Sequence, residues 1–363
     1  MGWSIRLGRI LGIDIYVHVT FFLLLAYIVF SSYLRSRDWS VALEELLFIT
    51  IVFTIVVMHE YGHALAARMY GVKTHDITLL PIGGVARLER IPENPLQEFV
   101  IAIAGPAVNV MLALIFLGLV IVRGEFTETF DADPLGKGSL ALRLMWVNVW
   151  LVVFNLIPAF PMDGGRVLRA VLAMMTDRVT ATQIAASVGQ MVALGLGFLG
   201  LFGNPMLVFI ALFVWIGAAQ EAADVAQRST LTGVPVRTAM ISEFHTVAPL
   251  DTLADVARKV LASFQQDFPV VDNGRVVGLI TQRNLLEALS SEGRDGTVDK
   301  AMQAEFATAA PHELLNDVLP RLQAAQTRSL PVLEDGRLVG LLTTENVGEL
   351  LMIRSALAQA ARA

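Results

Sequence analysis

Three residues in the sequence have the types and the spacing of a metal-dependent hydrolytic site: His59, Glu60 and His63. On a helix, two histidines four positions apart lie one turn from each other and face the same way. Both imidazoles can then bind one zinc ion, while the Glu60 carboxylate handles the proton of a water molecule that the metal activates. The alternative interpretation is that these are polar groups at a helix end near a membrane surface.

The segment before this motif places the chemistry in a membrane. Residues 46–58 carry no charge, and the apolar helix that they predict continues directly into His59. Ionisable side chains at membrane depth are costly and usually functional, which favours a site over an incidental group of polar residues. The pattern therefore predicts a metalloprotease site within a membrane helix.

The composition predicts a membrane protein with a soluble C-terminal part. Hydrophobic residues make up 55% of the 363 positions and charged residues only 17%, and the charges concentrate in the C-terminal third. The sequence has no cysteine, so a metal must be held by histidine and carboxylate. The net charge of −6 gives no reason to propose nucleic acid as a partner, and we expect none.

Uncharged runs predict six transmembrane helices, because about 20 apolar residues cross a bilayer core about 30 Å thick. The last run is long enough to cross twice, and Gly203, Asn204 and Pro205 mark a turn at its middle. The predicted spans are residues 15–34, 46–70, 99–122, 144–162 and two within 179–220.

The distribution of basic residues predicts the orientation of these spans. An even number of crossings puts both termini on one side of the membrane. That side carries 11 Lys and Arg residues in the segments flanking the spans, and the opposite side carries 5. The positive-inside bias then predicts an integral protein of the plasma membrane with both termini in the cytoplasm.

Zinc needs a third protein ligand, and Asp163 is the best candidate. Pro158 and Pro161 should break the fourth span, and Gly164 and Gly165 let the backbone turn before a helical pattern resumes. Such a break frees a carboxylate to reach a neighbouring helix. The alternative is an ordinary helix-capping aspartate at an interfacial turn.

The two motifs together resemble the site-2 proteases, which are intramembrane zinc metalloproteases. The resemblance covers about residues 1–226 and includes the segment from Asn155 to Arg166, which begins 92 residues after His63. It implies zinc binding by His59, His63 and Asp163, with Glu60 as the catalytic acid and base. It also implies a transmembrane protein as the substrate and membrane lipid as the surrounding partner.

Further segments match the same family. Residues 71–90 predict a short membrane-associated β-hairpin, whose buried edge could receive an unwound substrate as an added strand through the segment of Gly83 and Gly84. An ordinary cytoplasmic hairpin is the alternative. Asn109 and Asn155 are predicted to orient the substrate backbone or the oxyanion, and helix packing is an equal alternative for both.

The C-terminal part repeats itself with a constant offset of 62 residues, as Gly278 and Asn284 recur at Gly340 and Asn346. Each repeat predicts a helix, a strand, a tight turn, a second strand and a second helix. This pattern resembles tandem cystathionine-β-synthase (CBS) domains, an α/β module in which a homodimer contact is a further possibility. The predicted bounds are a protease domain at 1–226, a linker at 227–236, CBS domains at 237–292 and 297–353, and a tail at 354–363.

The CBS resemblance implies a site for an adenine nucleotide, ATP or AMP, between the repeats. The residues that match the family signature are Thr281 with Asn284 and Thr343 with Asn346. Asparagine replaces the commoner aspartate in both repeats, which retains hydrogen bonding to ribose and loses the charge-assisted strength of a carboxylate. A structural or dimerising module is the alternative.

The sequence as a whole predicts a six-span zinc endopeptidase for regulated intramembrane proteolysis, with a cytoplasmic CBS pair that modulates it. The second hypothesis is a membrane transporter or channel regulated by CBS domains. A transporter of this type predicts inverted repeats within the first 226 residues, and the sequence shows none.

Overall fold

The structure is a computed structural model that describes residues 3–81, 83–89, 92, 94–124, 138–325 and 327–360. The chain divides after Val225 into two compact units. The N-terminal unit contains a small sheet and the apolar helices, and the C-terminal unit contains the two repeats.

The N-terminal unit alternates strands and helices before it becomes entirely helical. Within the described residues its elements are β1 (Ser4–Ile10), β2 (Ile13–His18), α1 (Val19–Ser36), α2 (Trp39–Met69), β3 (Thr74–Leu80), β4 (Gly83–Leu88), α3 (Pro95–Val122), α4 (Leu140–Asn155), α5 (Asp163–Ala173), α6 (Arg178–Phe202) and α7 (Met206–Leu231), and the last turns of α7 belong to the C-terminal unit.

Five helices of the described part are long and apolar enough to cross a membrane: α1, α2, α3, α6 and α7. The turn predicted between the last two spans is confirmed, because α6 ends at Phe202 and α7 begins at Met206. The predicted fourth span corresponds to α4, which has 16 residues and ends at Asn155. The number of crossings stays a prediction.

The predicted hairpin is present as β3 and β4, although it forms only half of a four-stranded sheet in the order β1-β2-β3-β4. β1 and β2 form a second hairpin, and β2 runs parallel to β3 with Asp14 opposite Asp76. The prediction of a helix from residue 15 was therefore wrong, since α1 begins at Val19. Residues 13–18 alternate between buried and half-buried positions, which is the period of a strand, and an apolar-run count merges them with the helix.

One face of this sheet packs against α2, the helix that carries the histidine motif. Ile13 and Ile77 lie against Ala64, and Val17 and Leu79 lie among apolar side chains that include Phe53, Val56 and Val57. The sheet therefore holds the motif half of α2 on one side, and α3 contacts the same helix on another.

α2 and α3 approach closely because α2 has a glycine at their contact. A Cβ built at Gly62 would lie 2.6 Å from the carbonyl oxygen of Ala104, a distance that no side chain permits. Small residues at membrane helix contacts allow such backbone proximity, where packing rather than hydrophobic burial drives association. Pro106 lies inside α3 and leaves the Ala102 carbonyl without its usual helical donor.

The chain breaks between α4 and α5, as the prolines and glycines predict. Residues 156–162 fold back over the start of α5, with Ala159 and Phe160 buried. A Cβ at Gly164 would lie 2.2 Å from the Ile157 carbonyl oxygen, and one at Gly165 would lie 2.6 Å from the Phe160 nitrogen. Both glycines are therefore required for this loop to close, and the loop places Asp163 at the first position of α5.

A buried arginine ties α5 to the surrounding helices. Arg169 on α5 is fully buried, and its Nε donates to Glu98 of α3 at 2.7 Å. It also forms an ion pair with Glu221 of α7, and its guanidinium lies 5.0 Å from the centre of the Phe160 ring. A buried charge in an apolar environment is tolerated only when it is paired in this way.

The C-terminal unit repeats one arrangement, as predicted. Its described elements are a 3₁₀ turn (Val236–Thr238), α8 (Leu253–Ala262), β5 (Asp267–Asp272), β6 (Arg275–Thr281), α9 (Gln282–Glu292), α10 (Val298–Ala301), α11 (Leu315–Ala324), β7 (Ser329–Glu334), β8 (Arg337–Thr343) and α12 (Thr344–Ala360). Each antiparallel strand pair is joined by a two-residue turn with positive φ at both positions, Asn273-Gly274 and Asp335-Gly336.

A segment at the start of each repeat pairs with a strand of the other repeat. Ile241, at the start of the first repeat, pairs with Leu341 of β8, and Gln303, at the start of the second, pairs with Leu279 of β6. Asp267 also joins the repeats, because its carboxylate accepts from the backbone of Arg328 and from the Ser329 hydroxyl. Burial raises the pKa of the Asp267 carboxyl above its ordinary value.

The segments predicted as linker and tail are folded where the structure describes them. α7 continues to Leu231, and Leu231, Val234 and Val236 are buried in the core of the second repeat. α12 extends through most of the predicted tail to Ala360, and residues 361–363 lie outside the described residues.

Candidate metal centre

Three potential ligands of the sequence motifs meet at one point in the N-terminal unit. The Nε2 atoms of His59 and His63 are 3.1 Å apart, and each lies 3.1 Å from Oδ2 of Asp163. α2 supplies the histidines from consecutive turns, and the break before α5 supplies the aspartate. All three side chains are buried, and together they form a group that can hold a metal ion.

The hydrogen bonds behind the two imidazoles decide which nitrogens face this point. Nδ1 of His63 lies 2.7 Å from the Ile101 carbonyl oxygen, which can only accept, so Nδ1 carries the proton. Nδ1 of His59 lies 2.5 Å from Oδ1 of Asn109. In the neutral imidazoles both Nε2 atoms then direct a lone pair toward each other and toward the Asp163 carboxylate.

This arrangement fits a zinc ion. Three electron-pair donors facing one another repel unless a cation lies among them. Tetrahedral zinc with bonds of about 2.0–2.1 Å has ligands separated by about 3.3–3.4 Å, close to the 3.1 Å sides of this triangle. Two imidazoles with one carboxylate also form a known donor set for catalytic zinc, which leaves the fourth position for water or substrate.

A glycine of α3 provides the space for this group. A Cβ built at Gly105 would lie 2.2 Å from Nε2 of His63 and 2.7 Å from Nε2 of His59. Any other residue at this position would push into the ligand triangle. The glycine therefore serves the site directly, in addition to the close packing of α2 and α3.

Glu60 follows the first histidine on α2 and is half-buried. A strand of the sheet packs directly against it, since a Cβ at Gly84 of β4 would lie 2.7 Å from Cγ of Glu60. Gly83 is the first residue of β4 and has a φ of 139°, a conformation suited to glycine. The structure thus brings the Gly83-Gly84 segment and Glu60 together.

The two asparagines predicted to contact substrate lie in different places. Asn109 is fully buried beside His59, and its Nδ2 donates to Oδ1 of Asn148 at 2.9 Å. Asn155 lies at the end of α4, where its Nδ2 donates to the Leu151 carbonyl of the same helix at 2.9 Å. Substrate contact stays a prediction for both residues.

Asn148 is the residue that the sequence reasoning missed. It is fully buried on α4, and its Nδ2 donates to the Leu144 carbonyl at 2.8 Å. The available signal was an amide in the middle of the apolar stretch of the fourth predicted span, one of two asparagines in it. Buried polar side chains in membrane helices usually have a specific partner.

The predicted nucleotide residues lie at equivalent helix starts in the C-terminal unit. The Thr281 hydroxyl accepts from the backbone of Asn284 at 3.1 Å and donates to its side-chain oxygen. The Thr343 hydroxyl makes the same two bonds to Asn346, at 3.1 Å and 2.9 Å. The structure brings each pair together, and nucleotide binding stays a prediction.

Comparison with known proteins gives a consistent picture for both units. The model of "Peptidase family M50" matches residues 47–133 and 131–196, and the model of "CBS domain" matches residues 236–291 and 298–352. A zinc metalloprotease of Methanocaldococcus jannaschii is 34% identical over 348 residues, which cover 96% of each chain.

Two further similarities cover a smaller share of the chain. The stage IV sporulation protein FB of Bacillus subtilis is 28% identical over 167 residues, covering 46% of this chain and 54% of that protein. Among solved structures, a site-2 protease from Methanocaldococcus jannaschii is 40% identical, with a TM-score of 0.44 over 61% of this chain and 95% of that chain.

The glycine beside the ligand triangle gives a testable prediction. In Gly105→Ala the new methyl group displaces the His63 and His59 imidazoles, and we expect zinc affinity to fall by more than about tenfold. The measurement is zinc bound per purified chain, with affinity determined by chelator competition.

Gly118→Ala on the same helix is the matched control, because a Cβ there meets no atom within 4 Å. Its zinc affinity should match that of the wild type, while alanine raises helix stability by up to about 1 kcal/mol. Equal zinc affinity in Gly105→Ala and Gly118→Ala would show that the metal is held elsewhere.

Proposed function

Because the chain belongs to peptidase family M50, the zinc metalloproteases of the site-2 type, we propose that it cleaves a transmembrane protein within or near the bilayer. The family decides against the transporter or channel alternative. The chain is an integral membrane protein, with five helices in its described part that can cross a bilayer. The observation that carries the proposal is the buried triangle of His59, His63 and Asp163 with Glu60 beside it.

In this proposal His59, His63 and Asp163 are the zinc ligands. The chemistry that zinc supplies when bound is Lewis acidity, which polarises a scissile carbonyl and acidifies water. Glu60 accepts the proton of the attacking water and then donates it to the leaving amine, so that it acts first as a base and then as an acid. Its position next to His59 on α2 keeps the carboxylate at the site.

We propose that the substrate binds as an added strand along β4. β4 is the last strand in the sheet order, so one of its edges faces away from β3. A transmembrane substrate must unwind before its peptide bonds are accessible, and pairing with a strand edge satisfies the backbone groups that unwinding exposes. Gly84 packs against Glu60, so a peptide added along β4 lies near the general base. Gly83, Asn109 and Asn155 are the remaining proposed substrate-binding residues.

The proposed location is the plasma membrane with both termini in the cytoplasm, and the support is the 11 basic residues on that side against 5 on the other. The C-terminal CBS pair is then cytoplasmic and available to soluble ligands. We propose that it modulates cleavage by binding ATP or AMP through Thr281, Asn284, Thr343 and Asn346. A homodimer formed through this module is a further part of the proposal.

Substitutions at the metal centre separate ligands from the catalytic base. Glu60→Gln should bind zinc at a ratio near one per chain and lose cleavage, because it removes the base and leaves the ligands in place. His59→Ala, His63→Ala and Asp163→Ala should lose zinc and cleavage together. Zinc content and cleavage are measured on the same preparations, and the substrate is sought as a membrane protein that persists uncut only in cells carrying Glu60→Gln.

The inactive Glu60→Gln variant also tests the receiving strand, since the chain has no native cysteine. A cysteine at Val85 of β4, which is 46% exposed, should form disulfides with cysteines placed near the substrate's cleavage point. A cysteine at Leu7 of β1, exposed at the opposite end of the sheet, is the control. Equal cross-linking from both positions would contradict docking on β4, and tight zinc binding with cleavage in Asp163→Ala would contradict the ligand set.

Reporter fusions test the orientation. A fusion after Arg37 should report the external side, and a fusion after Gln227 should report the cytoplasm, as the basic-residue bias requires. An external signal from the Gln227 fusion would place the CBS pair away from cytoplasmic nucleotides.

Nucleotide binding is tested by thermal unfolding of the full-length protein. ATP or AMP at a hundredfold excess over its dissociation constant should stabilise the CBS unit by about 2.7 kcal/mol if it binds only the folded state. Thr281→Ala combined with Asn284→Ala should reduce this shift. Because Thr281 also caps α9, the variant is less stable without ligand, and the ligand-induced shift is the quantity to compare. The absence of a shift at millimolar nucleotide would leave a structural or dimerising module.

A further inference from the structure

We propose that Asn148 is a positioning residue of the metal centre, which sets the tautomer of His59 through Asn109. The proposal rests on the proposed role of His59 as a zinc ligand. The three residues come from three helices: His59 from α2, Asn109 from α3 and Asn148 from α4. Asn109 and Asn148 are both fully buried, and their amides are joined at 2.9 Å.

The backbone carbonyl of Leu144 decides which groups in this series of hydrogen bonds are donors and which are acceptors. The Leu144 carbonyl can only accept, so the Asn148 group that lies 2.8 Å from it must be the NH₂. The oxygen of Asn148 is then the group that faces Asn109, and it requires the NH₂ of Asn109 as its donor.

The orientation of Asn109 in turn fixes the proton of the His59 imidazole. With its NH₂ directed to Asn148, Asn109 presents its oxygen to Nδ1 of His59 at 2.5 Å. An oxygen acceptor at this position requires a proton on Nδ1, which leaves the lone pair on Nε2, the atom 3.1 Å from Asp163. One backbone carbonyl on α4 therefore determines which nitrogen of a histidine on α2 can bind the metal.

His63 also carries its proton on Nδ1, but no side-chain amide is involved, because Nδ1 of His63 donates directly to the Ile101 carbonyl. A side-chain amide is different from a carbonyl, since it can rotate by half a turn and exchange its acceptor for a donor. Asn109 alone would permit both tautomers of His59. Asn148 removes that freedom, because its oxygen needs the NH₂ of Asn109 as a donor.

Zinc affinity of the full-length protein tests the proposal. Asn148→Leu should weaken zinc binding by about 10- to 100-fold, the usual effect of removing a residue that supports a metal ligand. Asn148→Asp should retain affinity near that of the wild type, because a protonated carboxyl in this buried position donates to the Leu144 carbonyl and accepts from Asn109. Affinity is measured by chelator competition, independently of cleavage.

Asn155→Leu is the matched control for zinc affinity. Asn155 lies on the same helix and donates in the same way to the carbonyl four residues before it, but its partner is Leu151. Its replacement should leave zinc affinity unchanged, whatever it does to cleavage. A loss as large as that of Asn148→Leu would mean that any amide removed from α4 perturbs the site, and this would overturn the proposal.

The tautomer itself is read in the metal-free protein from the ¹⁵N shifts of the histidine rings. His59 should carry its proton on Nδ1 in the wild type and in Asn148→Asp, and as a mixture of tautomers in Asn148→Leu. His63 should be unchanged in all three. An unchanged His59 tautomer in Asn148→Leu would overturn the proposal even if zinc affinity fell.

A double-mutant cycle provides the last test. If Asn148 acts only through Asn109, Asn109→Leu combined with Asn148→Leu should bind zinc no more weakly than Asn109→Leu alone. Additive losses would indicate independent structural effects and would overturn the proposal. Failure of the proposed proteolytic function is distinguishable, because it would appear as absent cleavage in a wild type whose zinc affinity and His59 tautomer follow the pattern above.

Discussion

The mutual repulsion of three electron-pair donors is the constraint on which the N-terminal unit depends. His59, His63 and Asp163 converge at 3.1 Å in buried surroundings, an arrangement that suits a bound cation. Apolar helices have no tendency of their own to create such a group. The sheet behind α2, the hydrogen bonds behind the imidazoles and the loop before α5 are therefore best understood as the parts that hold the donors together.

Glycines allow much of the close packing that holds these donors in place. Gly62 lets α3 approach α2, Gly105 leaves room for the imidazoles, and Gly84 lets β4 contact Glu60. In lipid, helices gain little from burying apolar surface against each other, so contact depends on close packing and on polar bonds. Glycine permits the packing, and the buried Arg169 with Glu98 and the Asn109–Asn148 pair supply the polar bonds between helices.

The sequence predicts the reactive residues better than their supports. The histidine motif and the Asp163 segment each have a type and spacing that are specific to their chemistry, and the structure brings them together. β1 and β2 were missed because residues 13–18 alternate for only one short strand before an apolar helix begins. Asn148 was missed because one amide in an apolar run specifies no partner, and the partner lies on a helix 39 residues away in sequence.

In the C-terminal repeats too, the sequence predicts the units but not the contacts between them. A constant offset of 62 residues predicts two equivalent units, but it does not say whether each unit completes its own sheet. In the structure, Met302 packs on Gly278 of the first repeat and Met240 packs on Gly340 of the second. Both contacts keep the 62-residue offset, and both join a segment at the start of one repeat to a strand of the other. Each strand pair is therefore extended by a segment from the start of the other repeat, which the 62-residue offset alone does not reveal.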